Sequence, residues 1–288
     1  MIWSKQRAAM QAILRGHTCI RPGSVYDPVS ARIAEDLGFE LGMLGGSTAS
    51  LTVLGDPDLV IISLSELAET VRRITRAGNL PLMVDADHGF GNALSVRRTI
   101  EELDSAGAAG LSIEDTLLPQ AFGRSKVELL SLEEGLGKMK AAVDARRDTQ
   151  LALFARTSAP SVTGAADAIA RAKAYETSGV DALFFTGIRT RAELTAIAKE
   201  TRLPIMLGSA DGELDDAGFL SAQRVKICTQ GHLPFAAGAL AVYETLKALR
   251  EGTSPKNLKG IPSADFVNRY MRNAAAQQRM SDFLGIKK

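Results

Sequence analysis

Asp85 and Asp87 stand two residues apart at the end of the apolar run in LPLMVDADHGFGN, residues 80–92. Side chains on a β-strand alternate faces, so the two carboxylates are expected to point the same way, about 7 Å apart, with Val84 and Ala86 on the other face. Like charges this close on a half-buried face repel and lose hydration, which drives at least one toward its protonated form unless a cation neutralises them. The pair asks for a metal. Two further acids, Asp58 in GDPD and Glu114 in SIED, follow or end other strand candidates, and neighbouring strands lie about 4.8 Å apart. Oxygen donors at that density suit Mg²⁺ or Mn²⁺, held by one or two carboxylates directly and by the rest through water, whereas zinc would want nitrogen or sulfur. Arg156, from LALFART, and His232, in the GH after RVKICTQG, complete the strand-end set. Each has a plainer reading. Arg156 can pair with one of the acids, His232 alone reads as a structural histidine, and Asp115 reads as a helix N-cap. His17 and His88 are taken as structural. The GFG at 89–91 is no dinucleotide loop, because the third glycine is missing and the neighbouring carboxylates would repel a pyrophosphate.

Such groups need strand ends to carry them. Short apolar runs at 18–24, 40–46, 80–87, 110–115, 151–157, 182–187, 204–209 and 224–231 alternate with helix-period segments, several of which stop at AG or SG. Alternation of this kind implies parallel strands, and eight repeats in about 250 residues favour a (β/α)₈ TIM barrel, an α/β fold, over an open sheet. In such barrels catalytic groups come from the C-terminal strand ends. After Gly252 the texture changes. Residues 253–262 read as a loop, and 263–284 as one more helix with an apolar stripe at Phe266, Tyr270, Ala274 and Phe283. The expected organisation is a catalytic barrel over 1–252 and a helical extension over 253–288 that buries its stripe on a neighbouring subunit.

Composition narrows the class. The 288 residues are 45% apolar and 23% charged with net charge +1, and no basic tract points to nucleic acid. No apolar run approaches the ~20 residues that cross a bilayer. Cys19 and Cys228, both inside strand candidates, read as buried free thiols of a cytoplasmic protein. Residues 1–26 carry Lys5, Arg7, Arg15 and Arg21 and no acid. The helical spacing of Met10, Ile13 and Leu14, leading straight into a strand, argues for part of the fold over a removable presequence.

GGSTAS, GDPD, DADHGFGN, SIED and ART, in this order, resemble the isocitrate lyase / phosphoenolpyruvate mutase superfamily of Mg²⁺-dependent barrels over residues 25 to about 249. The resemblance implies that Asp85 anchors Mg²⁺ while Asp58, Asp87 and Glu114 complete its shell. It also implies that Arg156 and the Gly46 and Ser47 amides hold a 2-oxo acid carboxylate, and that the protein is a homotetramer with paired or exchanged terminal helices. The loop after strand four sets the subclass. The isocitrate and methylisocitrate lyases carry a cysteine there and the phosphonate mutases an asparagine; residues 116–131 have neither. TLLP after SIED, and the GH holding His232, are similar to the oxaloacetate decarboxylase branch, although that branch has a tyrosine where this chain reads Gly208-Ser209-Ala210-Asp211. The expected activity is Mg²⁺-dependent decarboxylation of oxaloacetate to pyruvate and CO₂ through a metal-stabilised enolate, with His232 touching the departing carboxylate or protonating C3. A C–C lyase on a dimethylmalate- or methylisocitrate-type acid and a non-catalytic oxo-acid-binding barrel are the competing readings.

Overall fold

The structure, a computed structural model, describes residues 2–286. Its eight strands are β1 Gly23–Ser24, β2 Gly42–Leu44, β3 Leu82–Asp85, β4 Gly110–Glu114, β5 Ala152–Thr157, β6 Ala182–Phe185, β7 Ile205–Leu207 and β8 Val225–Cys228. They are parallel and pair in sequence order. The ring closes through Ile20, whose amide donates to Lys226 O at 2.9 Å while the Cys228 amide donates to Ile20 O at 3.0 Å. The fold is a TIM barrel. All eight expected strands form, each shorter than its apolar run. The first shrinks to two residues because Pro22 has no amide to give the ladder. Cys19 therefore lies just ahead of β1, and Cys228 ends β8; both thiols are free.

Alternation along the strands, reset once in β8 by an irregularity in its pairing with β7 between Val225 and Ile227, sorts two apolar clusters. Leu44, Val84, Leu111, Leu153, Leu183, Leu207 and Val225 face the helices. Met43, Met83, Phe154, Phe184, Met206 and Ile227 fill the barrel, joined by Met10 and Leu14 of the helix Ser4–Arg15. Gly110 lets Met10 approach the strand: a Cβ there would stand 2.7 Å from Met10 Cε. Arg7 fastens this helix, giving hydrogen bonds to Asp104 at 2.6 Å and Asp148 at 2.7 Å and to the Ala108 carbonyl. Two residues beyond the inward Met83, Phe154, Phe184 and Ile227 come Asp85, Arg156, Thr186 and Thr229. One periodicity thus makes the lower interior apolar and the C-terminal mouth polar.

Helices begin where side chains satisfy free amides. Ser63 with Glu66 and Asp27 with Ser30 form capping boxes, and Asn92, Ser131 and Thr190 cap other barrel helices. The helix Gly46–Val53, into which the chain turns at once after β2, was not expected, nor was the short helix Ala159–Val162 after β5. Among the described residues no helix is long and apolar enough to cross a membrane.

The chain forms two compact units that divide between His232 and Leu233. In the second, the helix Leu233–Arg250 has no buried residue and exposes Leu240, Tyr243 and Leu246. The single helix expected over 263–284 is two, Ala264–Tyr270 and Asn273–Leu284, because Arg272 adopts a left-handed φ of 55° that interrupts the helical bonds. The Phe266 and Tyr270 rings meet with centroids 4.6 Å apart, and Tyr270 is buried.

Candidate active site

A cavity of about 180 Å³ opens at the C-terminal end of the barrel, lined by Gly46, Ser47, Asp58, Asp85, Arg156 and His232 over a floor that includes Met43 and Phe184. Asp85 ends β3 with its side chain inward, accepting from the Ser112 hydroxyl at 3.2 Å and from Arg156 Nη1 at 2.5 Å. The plainer reading of Arg156 is therefore realised in this structure: it pairs with an acid. Its Nε also lies 3.5 Å from Glu114 Oε2, and its guanidinium carbon sits 5.3 Å from the centre of the Phe184 ring. Burial opposes the charge, but the Asp85 and Glu114 carboxylates hold the guanidinium above its ordinary range.

Asp87 corrects the strand argument. β3 stops at Asp85, and Asp87 has φ 47°, in the left-handed region that aspartate tolerates better than most residues. A turn, and not strand alternation, brings the two acids together: the Asp87 amide donates to Asp85 Oδ1 at 3.3 Å. The Asp87 carbonyl accepts from the Glu114 amide at 2.8 Å. Oδ1 of Asp87 rests against Gly46, where a Cβ would come within 2.4 Å. Its Oδ2 is buried with no hydrogen-bond partner. Burial, then the Asp85, Asp58 and Glu114 charges, push this carboxyl well above the usual range.

Glu114 is buried, accepts from Thr116 Oγ1 at 2.8 Å, and is raised chiefly by burial, which Arg156 opposes. Asp58, at the rim, remains exposed; partial desolvation and the Asp85 charge raise it. Gly46 and Ser47 are the first residues of their helix, so their amides have no intrahelical acceptor. His232 follows β8; its Nδ1 lies 2.8 Å from Ser24 Oγ, and burial lowers its pKa against the pull of Asp85 and Asp58.

The structure thus gathers Asp85, Arg156, Asp58, His232, Gly46 and Ser47 around one cavity, with Asp87 and Glu114 bonded to the same strand ends. Asp115 is not a helix cap. It is fully buried beneath the site, accepting from Tyr175 Oη at 2.6 Å and Arg171 Nη1 at 2.9 Å. It belongs to the outward face of β4, where a carboxylate meets the next helix layer. His88 is buried, and its carbonyl accepts from Lys138 Nζ at 2.8 Å. Thr186 and Thr229, also lining the cavity, were missed although strand period two would have found them. Among the described residues no three of His, Cys, Asp and Glu are grouped so as to hold a metal ion by themselves. Mg²⁺ sites that rely on one or two carboxylates and water do not need such a group.

Comparison with known proteins agrees with this architecture. A Bradyrhizobium sp. (strain ORS 278) protein named oxaloacetate decarboxylase is 59% identical over 286 residues, 99% of this chain and 99% of its own. A phosphonopyruvate hydrolase solved with oxalate and Mg²⁺ superposes with TM-score 0.84 at 28% identity, covering 97% of this chain and 99% of that one. An oxaloacetate acetylhydrolase solved with the inhibitor 3,3-difluorooxalacetate gives TM-score 0.84 at 26% identity, with 98% of each chain covered. Residues 11–250 match the phosphoenolpyruvate phosphomutase family, and the chain belongs to it.

Proposed function

We propose that this enzyme is an oxaloacetate decarboxylase that releases pyruvate and CO₂ with the help of Mg²⁺, Mn²⁺ being the natural alternative. The observation that carries the metal is the orphaned, buried Asp87 Oδ2 among carboxylates that outnumber the single guanidinium beside them. The donors Asp85, Asp58, Asp87 and Glu114 are all oxygen, the set a hard divalent cation takes. A full-length relative bearing the decarboxylase name supports the substrate.

Bound Mg²⁺ would supply Lewis-acid polarisation of the 2-oxo group. The chain supplies the rest. Arg156 and the Gly46 and Ser47 amides are the positive groups of the cavity, suited to bind the C1 carboxylate and to stabilise charge that develops on the C2 oxygen. When the C3–C4 bond breaks, C4 leaves as CO₂ and its bonding pair passes to C3 and the C2 oxygen. C3 then takes a proton to give pyruvate; His232, in the same cavity, would meet the C4 carboxylate or supply that proton, over the apolar floor of Met43 and Phe184. No nucleophile is required, and the 116–131 loop offers no cysteine for lyase acid–base chemistry.

The free thiols, Cys228 buried and Cys19 only half-buried where full burial was expected, suit a cytoplasmic setting: desolvation pushes Cys19 up to about 11 and Cys228 up to about 12. A homotetramer with terminal helices exchanged between subunits is supported by the helix Leu233–Arg250, which buries nothing. The test is pyruvate formation from oxaloacetate over a metal-only background. Chelation and Asp85→Ala are each expected to abolish it, and undiminished turnover in either overturns the metal assignment. Turnover of a larger malate-type acid in place of oxaloacetate would select the lyase reading, and binding without turnover the non-catalytic one.

A further inference from the structure

His232 is gripped on two edges. Nδ1 meets Ser24 Oγ at 2.8 Å. The Nε2–Cε1 edge lies over Gly45, where a Cβ would stand 2.4 Å from Nε2 and 2.5 Å from Cε1. Gly23 turns its missing side chain toward Ala34 and Phe39 of the outer layer, so Ser24 points into the barrel, in register with the inward Met43. The contact ties the end of β1 to the turn that follows β8, its neighbour across the Ile20 closure.

A serine hydroxyl serves either edge chemistry, since it can donate to a bare Nδ1 or accept from Nδ1–H. The surroundings choose. The charges that bear on the ring are the carboxylates of Asp85 and Asp58, both of the cavity. A bare Nε2 beside them would set a lone pair against negative charge, whereas Nε2–H meets that field favourably. Burial also favours the neutral ring, which has a single proton to place.

We propose that Ser24 is a positioning residue for His232: its hydroxyl donates to Nδ1 and fixes the Nε2–H tautomer, so that the ring offers the substrate's carboxylate a hydrogen-bond donor. Gly45 completes the arrangement by leaving room for the protonated edge. The step is one of orientation, with no proton changing owner. Its bearing on catalysis rests on the proposed contact between His232 and the substrate, but the tautomer itself does not.

The chain has three histidines, so ¹⁵N-histidine labelling of the full-length protein, with His17→Gln and His88→Asn for assignment, resolves the ring nitrogens. At neutral pH the expected spectrum shows His232 protonated at Nε2 and bare at Nδ1, and Ser24→Ala is expected to mix the tautomers. The same variant should lower kcat about five- to tenfold, the loss of one orienting hydrogen bond, with little change in the Mg²⁺ requirement. A wild-type ring protonated at Nδ1 overturns the inference, as does an unchanged spectrum in Ser24→Ala. The wild-type spectrum alone decides if that variant does not fold. His232→Ala separates the two claims: full turnover in that variant would remove the histidine from the reaction while leaving the tautomer result standing.

Discussion

Asp87 concentrates what the site costs the fold. A buried carboxylate in a left-handed turn, with one oxygen unpaired, is retained against both backbone preference and desolvation. With its folded-state pKa raised, ionisation at neutral pH opposes folding, and that penalty fades as pH falls through the folded pKa toward the ordinary carboxylate range. Asp87→Asn is therefore expected to raise the melting temperature of the metal-free protein at pH 7 by about 3 °C or more, with a gain that shrinks on acidification. Calorimetry in chelator checks this, and the same variant should lose Mg²⁺ binding. The neighbouring His88 acts in the opposite sense. Burial, then Lys138, lowers it to about 4 from a reference of 6.5, so the unfolded chain binds the extra proton first and stability present above pH 6.5 is lost as pH falls toward 4. After allowance for solvent screening this amounts to about 1 kcal/mol between pH 7 and 5. Urea titrations of His88→Asn should show a correspondingly flatter acid limb. Asp85 was legible in the sequence because it ends an apolar run. Ser24 was not, since a serine in a two-residue strand carries no periodic signal and its partner lies 208 positions away.

The loop at 116–131 is an element of two parts. Its neck is tied: the Leu117 amide donates to Glu128 O at 2.8 Å, the Leu130 amide to Asp115 O at 2.8 Å, and Arg171 Nη2 to Leu130 O at 3.0 Å. Its tip is tied only locally, with Phe122 fully exposed, the Arg124 amide donating to Ala121 O at 3.1 Å and the Arg124 side chain in a surface pair with Glu128 at 3.4 Å. Exposed pairs contribute little. Arg124→Ala is accordingly expected to change kcat by less than about threefold, while His232→Ala, in the cavity wall and held by Ser24, should reduce it far more. Rate ratios over the metal-only background decide, and the reverse order would place the chemistry on the loop. At this scale the alternation of apolar runs made the barrel readable, because each strand and helix declares its own period. What stayed hidden depends on contacts between elements. Asp115 reads as a cap until Arg171 and Tyr175 arrive from another helix, and the break at Arg272 is a backbone conformation that arginine's propensity does not announce.

The whole chain leaves apolar surface uncovered. Leu240, Tyr243 and Leu246 on the helix Leu233–Arg250 are each more than half exposed, which favours association of the chain with copies of itself. Leu246→Glu in the full-length protein is expected to lower the oligomeric state in sedimentation velocity; an unchanged assembly would place the interface elsewhere. The barrel itself carries a different consequence. With Met10 and Leu14 wedged into its lower end and Arg7 pinning their helix in place, the packed interior leaves the C-terminal mouth as the way into the barrel. Oxaloacetate, pyruvate and CO₂ must then share a single doorway, entering and leaving in turn. A lingering pyruvate bars the next arrival, so the order of departure belongs to the architecture as much as to the chemistry.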